Sequence, residues 1–278
     1  MTISVLMSVY KSEKAAFLDR SLQSVWDDQT LKPNQIVLIL DGELTEPLYA
    51  TIDAWKEKVG DVLTILKNEQ NLGLTKSLNK GIKAVTSDLI ARMDSDDIST
   101  PERFRLQHDY LMEHSDVDIV GGFLQEFDET NDSLNVRRYP QSPVASRRYI
   151  KKASPLAHPT VMMRKKMFDE GLAYDERFRT SQDIALWYDA ILKGYNISNV
   201  PEVTIKFRRD GDVFKRRGKK KAFNEFKIYM NGIYRMHGLF CWYYVYPISR
   251  LAFRLMPTCI VKYIYGSKAR QKVLQGKG

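Results

Sequence analysis

The chain has little cysteine. Cys241 and Cys259 are its only two in 278 residues, too few for a disulfide framework and without the spacing of a structural metal site. Both fit a reducing compartment. Met1-Thr2-Ile3-Ser4-Val5-Leu6-Met7 carries no basic leader and no long apolar region, so no signal peptide is expected. Apolar runs are short, broken by charge or proline well before the ~20 residues a membrane-spanning helix needs. Internal repeats and low-complexity segments are missing. So are the familiar phosphate-binding signatures. The first apolar run ends in Tyr10-Lys11-Ser12-Glu13, not Gly-x-Gly-x-x-Gly, and Gly-x-x-x-x-Gly-Lys-Ser/Thr does not occur. A dinucleotide dehydrogenase and a P-loop protein are therefore disfavoured.

What is present sets the class. Hydrophobic residues make up 44% of the chain, enough for a core, and the formal charge is +9. That excess suits an anionic partner: nucleotide phosphate, anionic lipid or nucleic acid. Apolar runs at 3–9, 35–40 and 62–66 read as buried strands. Helical patterns at 15–26, 46–58 and 75–85 lie between them and after the last. Strand alternating with helix predicts an α/β fold with a mostly parallel central sheet flanked by helices.

A fourth run, Leu89-Ile90-Ala91, leads into Asp94-Ser95-Asp96-Asp97. A strand ending in clustered carboxylates delivers them to the sheet edge where open α/β sheets bind ligands. In extended backbone Asp94 and Asp96 share one side. A hard cation, Mg²⁺ or Mn²⁺, would relieve their repulsion. The same residues also read as a helix start, Asp97 through Glu102 with Pro101 in the first turn.

The ordered set Ser8-Val9-Tyr10-Lys11, Asp41-Gly42, Asn71-x-Gly73 with Lys76, Asn79 and Gly81, and Met93-Asp94-Ser95-Asp96-Asp97 resembles the family 2 glycosyltransferases. Their A-type (GT-A) nucleotide-sugar-binding fold is implied over roughly residues 1–212, with 213–278 as a basic, aromatic helical extension. The resemblance implies a wall of the nucleotide site around Val9, Tyr10 and Glu13. It implies base recognition by Asp41, a carboxylate able to accept the ring N–H of uracil. Asn71 and Gly73 would shape a loop beside the nucleotide, and Lys76 would reach phosphate or the carboxylate cluster. Asp94 and Ser95 would contact ribose or sugar. Asp96, with Asp94, would ligate the metal bridging the diphosphate.

Further along, helix is predicted at 101–114 and 144–152, strand at 117–127 with a break at Gly121-Gly122, and a hairpin return at 135–139. His158, before Pro159, would line the acceptor side in a supporting role. In Thr180-Ser181-Gln182-Asp183-Ile184-Ala185-Leu186-Trp187, the family's Glu-Asp pair is Gln182-Asp183. The resemblance makes Asp183 the general base, with Gln182 and Trp187 toward the acceptor. A plain helix cap is the competing reading of Ser181 and Asp183. After a closing strand at 203–208, Asp210 falls where the family often has a further metal ligand.

The implied activity is inverting, metal-dependent transfer from a UDP-sugar to a glycan or lipid-linked glycan acceptor in surface polysaccharide assembly. Basic and aromatic residues after 239 suit a peripheral membrane surface, on the inner face of the cell membrane of a cytoplasmic protein. A packed appendage or a homodimer contact are the other readings. A nucleotidyltransferase acting on sugar phosphates is the enzymatic rival, but lacks its Gly-rich basic loop here. A nucleic-acid-binding protein would leave the carboxylate series unexplained, so no nucleic acid is expected.

Overall fold

Residues 1–128, 131–209 and 219–256 are described by the structure, a computed structural model. The first half is parallel, as the alternation predicts. Strands β1 (Ile3–Val9), β2 (Gln35–Asp41), β3 (Leu63–Asn68) and β4 (Leu89–Asp94) stand in the order β3-β2-β1-β4. Helices α1 (Ala15–Val25), α2 (Glu46–Val59) and α3 (Leu74–Ile82) make the crossovers. The chain steps from β1 through β2 to β3, then returns to the other side of β1. The switch point of this order lies between β1 and β4, which pair with Ser8 opposite Asp94. Ligands collect in the crevice at such a point.

Beyond β4 the sheet becomes mixed. It continues through β8 (Met162–Arg164), β6 (Ile119–Asp128), β9 (Ile197–Arg208) and β5 (Ile98–Ser99), and β7 (Asn131–Arg137) pairs with β6. β4 to β8 and β8 to β6 are antiparallel, and β6 to β9 is parallel. Gly121-Gly122 does not break β6 as expected. The strand runs through both glycines with a register shift against β9. A Cβ on Gly121 would lie 2.3 Å from Asn199 Oδ1, and one on Gly122 would lie 2.4 Å from Thr204. Close approach to β9 explains the glycines.

Both sheet faces are covered. β1 sends Ile3, Val5, Met7 and Val9 to one face, where α1, α2 and α4 (Arg103–Glu113) pack through Leu22, Trp55 and Phe104. Leu6 faces the other side with Leu78 of α3, Ile150 and the apolar face of α7 (Gln182–Leu192). Because both faces are buried, these strands read as unbroken apolar runs and not as alternating ones.

The helix expected from Pro101 starts later, at Arg103 with Glu102 at its N-cap position. Asp97 does not cap it, because the two-residue strand β5 intervenes. Instead Asp97 Oδ1 accepts the backbone N–H of Arg208 at 2.9 Å. α5 (Pro143–Tyr149) is capped by Ser142, whose Oγ accepts from the Ala145 amide at 3.3 Å. α6 (Lys166–Asp169) is a single turn. The C-terminal helices α8 (Lys219–His237) and α9 (Val245–Leu255) follow. α8 lies against α7 through Tyr188 and Tyr229, their rings edge to face at 5.9 Å. Among the described residues, no helix is long and apolar enough to cross a membrane.

Candidate active site

Two elements bring carboxylates to the crevice between β1 and β4. β4 ends at Asp94, and Asp96 and Asp97 follow in the bend before β5. Asp96 is therefore not in extended backbone, as its two-residue spacing from Asp94 suggested. The bend still gathers the side chains, and Asp94, Asp96 and Asp97 place carboxylate oxygens within 4.8 Å of one another. Burial, then Asp94 and Glu13, pushes the Asp96 carboxyl up to about 7. Burial, then Asp94 and Asp96, also raises Asp97 well above the usual range. Like charges crowded out of water cannot all ionise without a countercharge.

These residues fit a divalent metal. All three donors are hard oxygens. Asp97 Oδ2 is buried with no hydrogen-bond partner among the described residues, a lone acceptor that burial makes costly and a cation would satisfy. The Arg92 guanidinium is ion-paired to Asp94 Oδ1, which leaves Asp96 and Asp97 the freer ligands. Sequence reasoning assigned Asp97 to a helix cap and missed this. Asp210 lies outside the described residues.

Arg92 was also missed. It is 2% exposed, and its Nε and Nη1 have no partner. Burial works against its charge, but the ion pair with Asp94 holds the guanidinium ionised. Asp183 feels the same charge. Arg92, with the fully buried Arg103 close by, is thus a buried cation beside the carboxylates at and after the end of β4, and its charge reaches Asp183 of α7. The signal was a charge inside the apolar run Leu89-Ile90-Ala91-Arg92-Met93.

On the β1 side the expected residues divide. Val9 is fully buried in the core, so its side chain cannot wall a nucleotide; only its backbone can. Tyr10 is exposed. Glu13 Oε2 accepts from Ser95 Oγ at 2.8 Å, tying the loop after β1 to the bend after β4.

Asp41, 4% exposed at the end of β2, is first of all an anchor. Its Oδ1 accepts from Asn68 Nδ2 at 2.9 Å and Leu72 N at 2.8 Å, and its Oδ2 from Gly73 N at 2.9 Å. A carboxylate offers about four lone-pair sites, so one on Oδ2 remains. Asn71 Nδ2 donates to the Asp41 carbonyl at 3.3 Å. Gly42 makes this packing possible: its φ is +89°, and a Cβ there would lie 2.7 Å from Asn71 N. Gly73 and Lys76 line a cleft of about 540 Å³ with Arg177 and Arg179, two cations that sequence reasoning passed over.

Asp183 sits in the first turn of α7, after Ser181. Ser181 has φ of 62°, the one non-glycine in left-handed backbone among the described residues. Its hydroxyl caps nothing and donates to Glu225 Oε1 at 3.3 Å. A strained residue two positions from the expected base is the kind of outlier that marks functional sites. Burial raises the Asp183 carboxyl, opposed by the Ile184 amide and by Arg92. His158 is buried, and its Nε2 shares a 2.8 Å hydrogen bond with the Tyr174 hydroxyl. Burial and Arg92 depress His158 well below the usual imidazole value, so it is neutral. Gln182 is buried. Trp187, expected toward the acceptor, is fully buried behind His158, with ring centroids 6.1 Å apart. It supports the site from the core and cannot touch an acceptor. His158 and Asp183 instead line a cleft of about 690 Å³.

An α/β sheet that gathers a carboxylate cluster at its switch point, with a raised carboxylate on a helix packed against one face, is the frame of a sugar-nucleotide transferase. Residues 4–172 match the family described as Glycosyl transferase family 2, and the chain belongs to it. It is 34% identical over 94% of its length, and 97% of the relative's, to the amylovoran biosynthesis glycosyltransferase AmsE of Erwinia amylovora. It is 30% identical over 96% of each chain to the UDP-Gal:alpha-D-GlcNAc-diphosphoundecaprenol beta-1,3-galactosyltransferase of Escherichia coli. Its fold matches S. aureus TarS 1-349 in complex with UDP-GlcNAc, with a TM-score of 0.64 at 19% identity, over 92% of this chain and 72% of that one.

Proposed function

We propose that the protein transfers a sugar, with inversion and metal dependence, from a UDP-sugar to a lipid-linked glycan acceptor in surface polysaccharide assembly. The observation that carries the reading is Arg92. This buried cation is ion-paired to Asp94 at the end of β4, and its charge is felt by Asp97 in the following bend and by Asp183 on α7, which supports donor and base carboxylates serving one site. The 30%-identical galactosyltransferase is named for a UDP-Gal donor and a diphosphoundecaprenol-linked acceptor, which supports both substrate classes.

The nucleotide lies across the loops after β1 and β2. Asp41 holds the loop carrying Asn71 and Gly73 against the base, and its spare Oδ2 lone pair accepts the uracil N–H. Tyr10 and Glu13 close the other side. Asp96, with Asp94 and Asp97, holds Mn²⁺ or Mg²⁺, which neutralises charge on the diphosphate when bound. Asp183 takes the proton of the acceptor hydroxyl as its oxygen attacks the anomeric carbon and the bond to the diphosphate breaks. Burial raises Asp183, which strengthens it as a base. The exposed aromatic end of the C-terminal helices rests on the inner face of the cell membrane.

A screen of nucleotide-sugars with Mn²⁺, reading nucleoside diphosphate release, tests the donor. A UDP-sugar is expected to turn over; no turnover with any UDP-sugar and no UDP binding would sink the reading. In the same assay Asp183→Asn is expected to keep UDP affinity and lose about 10²–10⁴-fold in transfer. Unchanged transfer removes the base assignment.

A further inference from the structure

The cleft beside Asp183 carries more positive charge than a sugar hydroxyl needs. Its walls come from β6, β7, α5, the His158 turn, α7 and α8. Three cations line it, Arg137, Arg138 and Lys221, against the single carboxylate of Asp183. Arg137 is partly compensated, because its guanidinium pairs with the buried Glu126, which Arg209 approaches at 3.6 Å. Arg138 and Lys221 are exposed. Among the described residues, neither has a carboxylate within ion-pair distance. Lys221 is close enough to Asp183 to act on its charge.

A neutral glycan would leave these cations without a role. A phosphate group would be held by two or three charge-assisted hydrogen bonds.

The cleft also has a direction. Tyr149 and Ser154 form part of its wall. Between them, Lys151 Nζ lies 4.0 Å from the centre of the Tyr243 ring, and Lys152 Nζ lies 5.4 Å from that of Tyr246. Trp242 packs against both tyrosines with tilted rings, at centroid distances of 4.6 and 5.4 Å. Next to it Phe240 is 98% exposed. The segment that supplies the Tyr149 and Ser154 wall of the cleft thus also touches the apolar, aromatic surface of the C-terminal helices. That adjacency of environments matches an amphiphile whose sugar, phosphate and hydrocarbon follow one another.

We propose that this cleft is the acceptor's phosphate subsite, in which Arg138 and Lys221, with Arg137, bind the phosphate or diphosphate of a lipid-linked acceptor. It rests on the glycosyltransfer reading and adds to it which residues would hold the acceptor's phosphate. Arg138 and Lys221 act on specificity. The phosphate they hold fixes how far the acceptor hydroxyl lies from Asp183.

The test uses the full chain saturated with UDP and Mn²⁺, so that the donor's diphosphate site is filled. Farnesyl diphosphate, farnesol and inorganic pyrophosphate are then titrated by calorimetry. Farnesyl diphosphate is expected to bind, with farnesol and pyrophosphate each about tenfold or more weaker. The double variant Arg138→Ala/Lys221→Ala is expected to weaken farnesyl diphosphate by about tenfold or more while UDP affinity and Tm stay unchanged. Wild-type affinity in the double variant, or no binding to the UDP-loaded protein, overturns the subsite. Pyrophosphate binding as tightly as farnesyl diphosphate overturns the lipid-linked source. Failure of the donor reading looks different, because UDP itself then does not bind.

Discussion

Asp96 shows how much a single side chain's surroundings decide. An isolated aspartate is ionised at neutral pH, but here burial, Asp94 and Glu13 hold the carboxyl up to about 7. The folded chain keeps this proton to higher pH than the unfolded chain. Without metal, ionisation therefore costs stability progressively from 3.8 to about 7. A divalent cation needs the ionised form and must displace the proton. Mn²⁺ affinity is expected to rise at least about fivefold from pH 6 to 7 and to go on rising to pH 8, because the raised Asp97 carboxyl must lose its proton as well. Calorimetry at the three pH values checks this, and the rise in Tm on adding Mn²⁺ should follow the same order. Flat affinity across that range would show that Asp96 is not a ligand.

At the scale of elements, loops are held by side chains that reach across large sequence distances. Asn79 on α3 is the clearest case. Its Nδ2 donates to the Tyr174 carbonyl at 2.9 Å, and its Oδ1 accepts the Tyr174 amide at 3.0 Å. The pair fixes the backbone of the residue whose hydroxyl holds His158. Removing both partners at once leaves the Tyr174 N–H and C=O unpaired in a part-buried setting. Asn79→Ala is expected to cost about 1–3 kcal/mol in urea unfolding. A change below the precision of the measurement would mean that water replaces the amide fully. The sequence marked Asn79 only as part of a motif, because a bond spanning 95 residues leaves no local pattern. The helices themselves were legible, α1 to within one residue and α2 likewise. The start of α4 was misplaced because Pro101 and Asp97 are good helix-start residues, whereas β9 captures Ile98 and Ser99 by pairing with Ile205 and Lys206. Nonlocal pairing overrode local propensity.

The whole molecule presents two unlike surfaces. The carboxylate crevice lies at the β1–β4 switch point. At the C-terminal helices, Leu239, Phe240, Trp242, Val245 and Ile248 are all more than half exposed. Large apolar side chains exposed together on the C-terminal segment of a molecule of charge +9 suit adsorption to an anionic bilayer. Phe240→Ser/Trp242→Ser/Ile248→Ser is expected to shift the protein from the floating to the soluble fraction with anionic vesicles, at unchanged Tm. If the wild type stays soluble with vesicles and is dimeric by light scattering, the surface serves a second copy of the chain instead.

The sequence by itself determined the alternation of strand and helix, the family, and the order of Asp41, the β4 carboxylates and Asp183. Those features are local, written in apolar periodicity and short motifs. Tertiary structure decided which side chains face the site. It buried Trp187 and Val9 in the core, turned Asp41 into a loop anchor, and left Asp97 Oδ2 without a partner. It also set Arg92 beside Asp94, where its charge reaches Asp183. Burial and electrostatic neighbourhood depend on which distant segments pack together, and no stretch of residues carries that information alone.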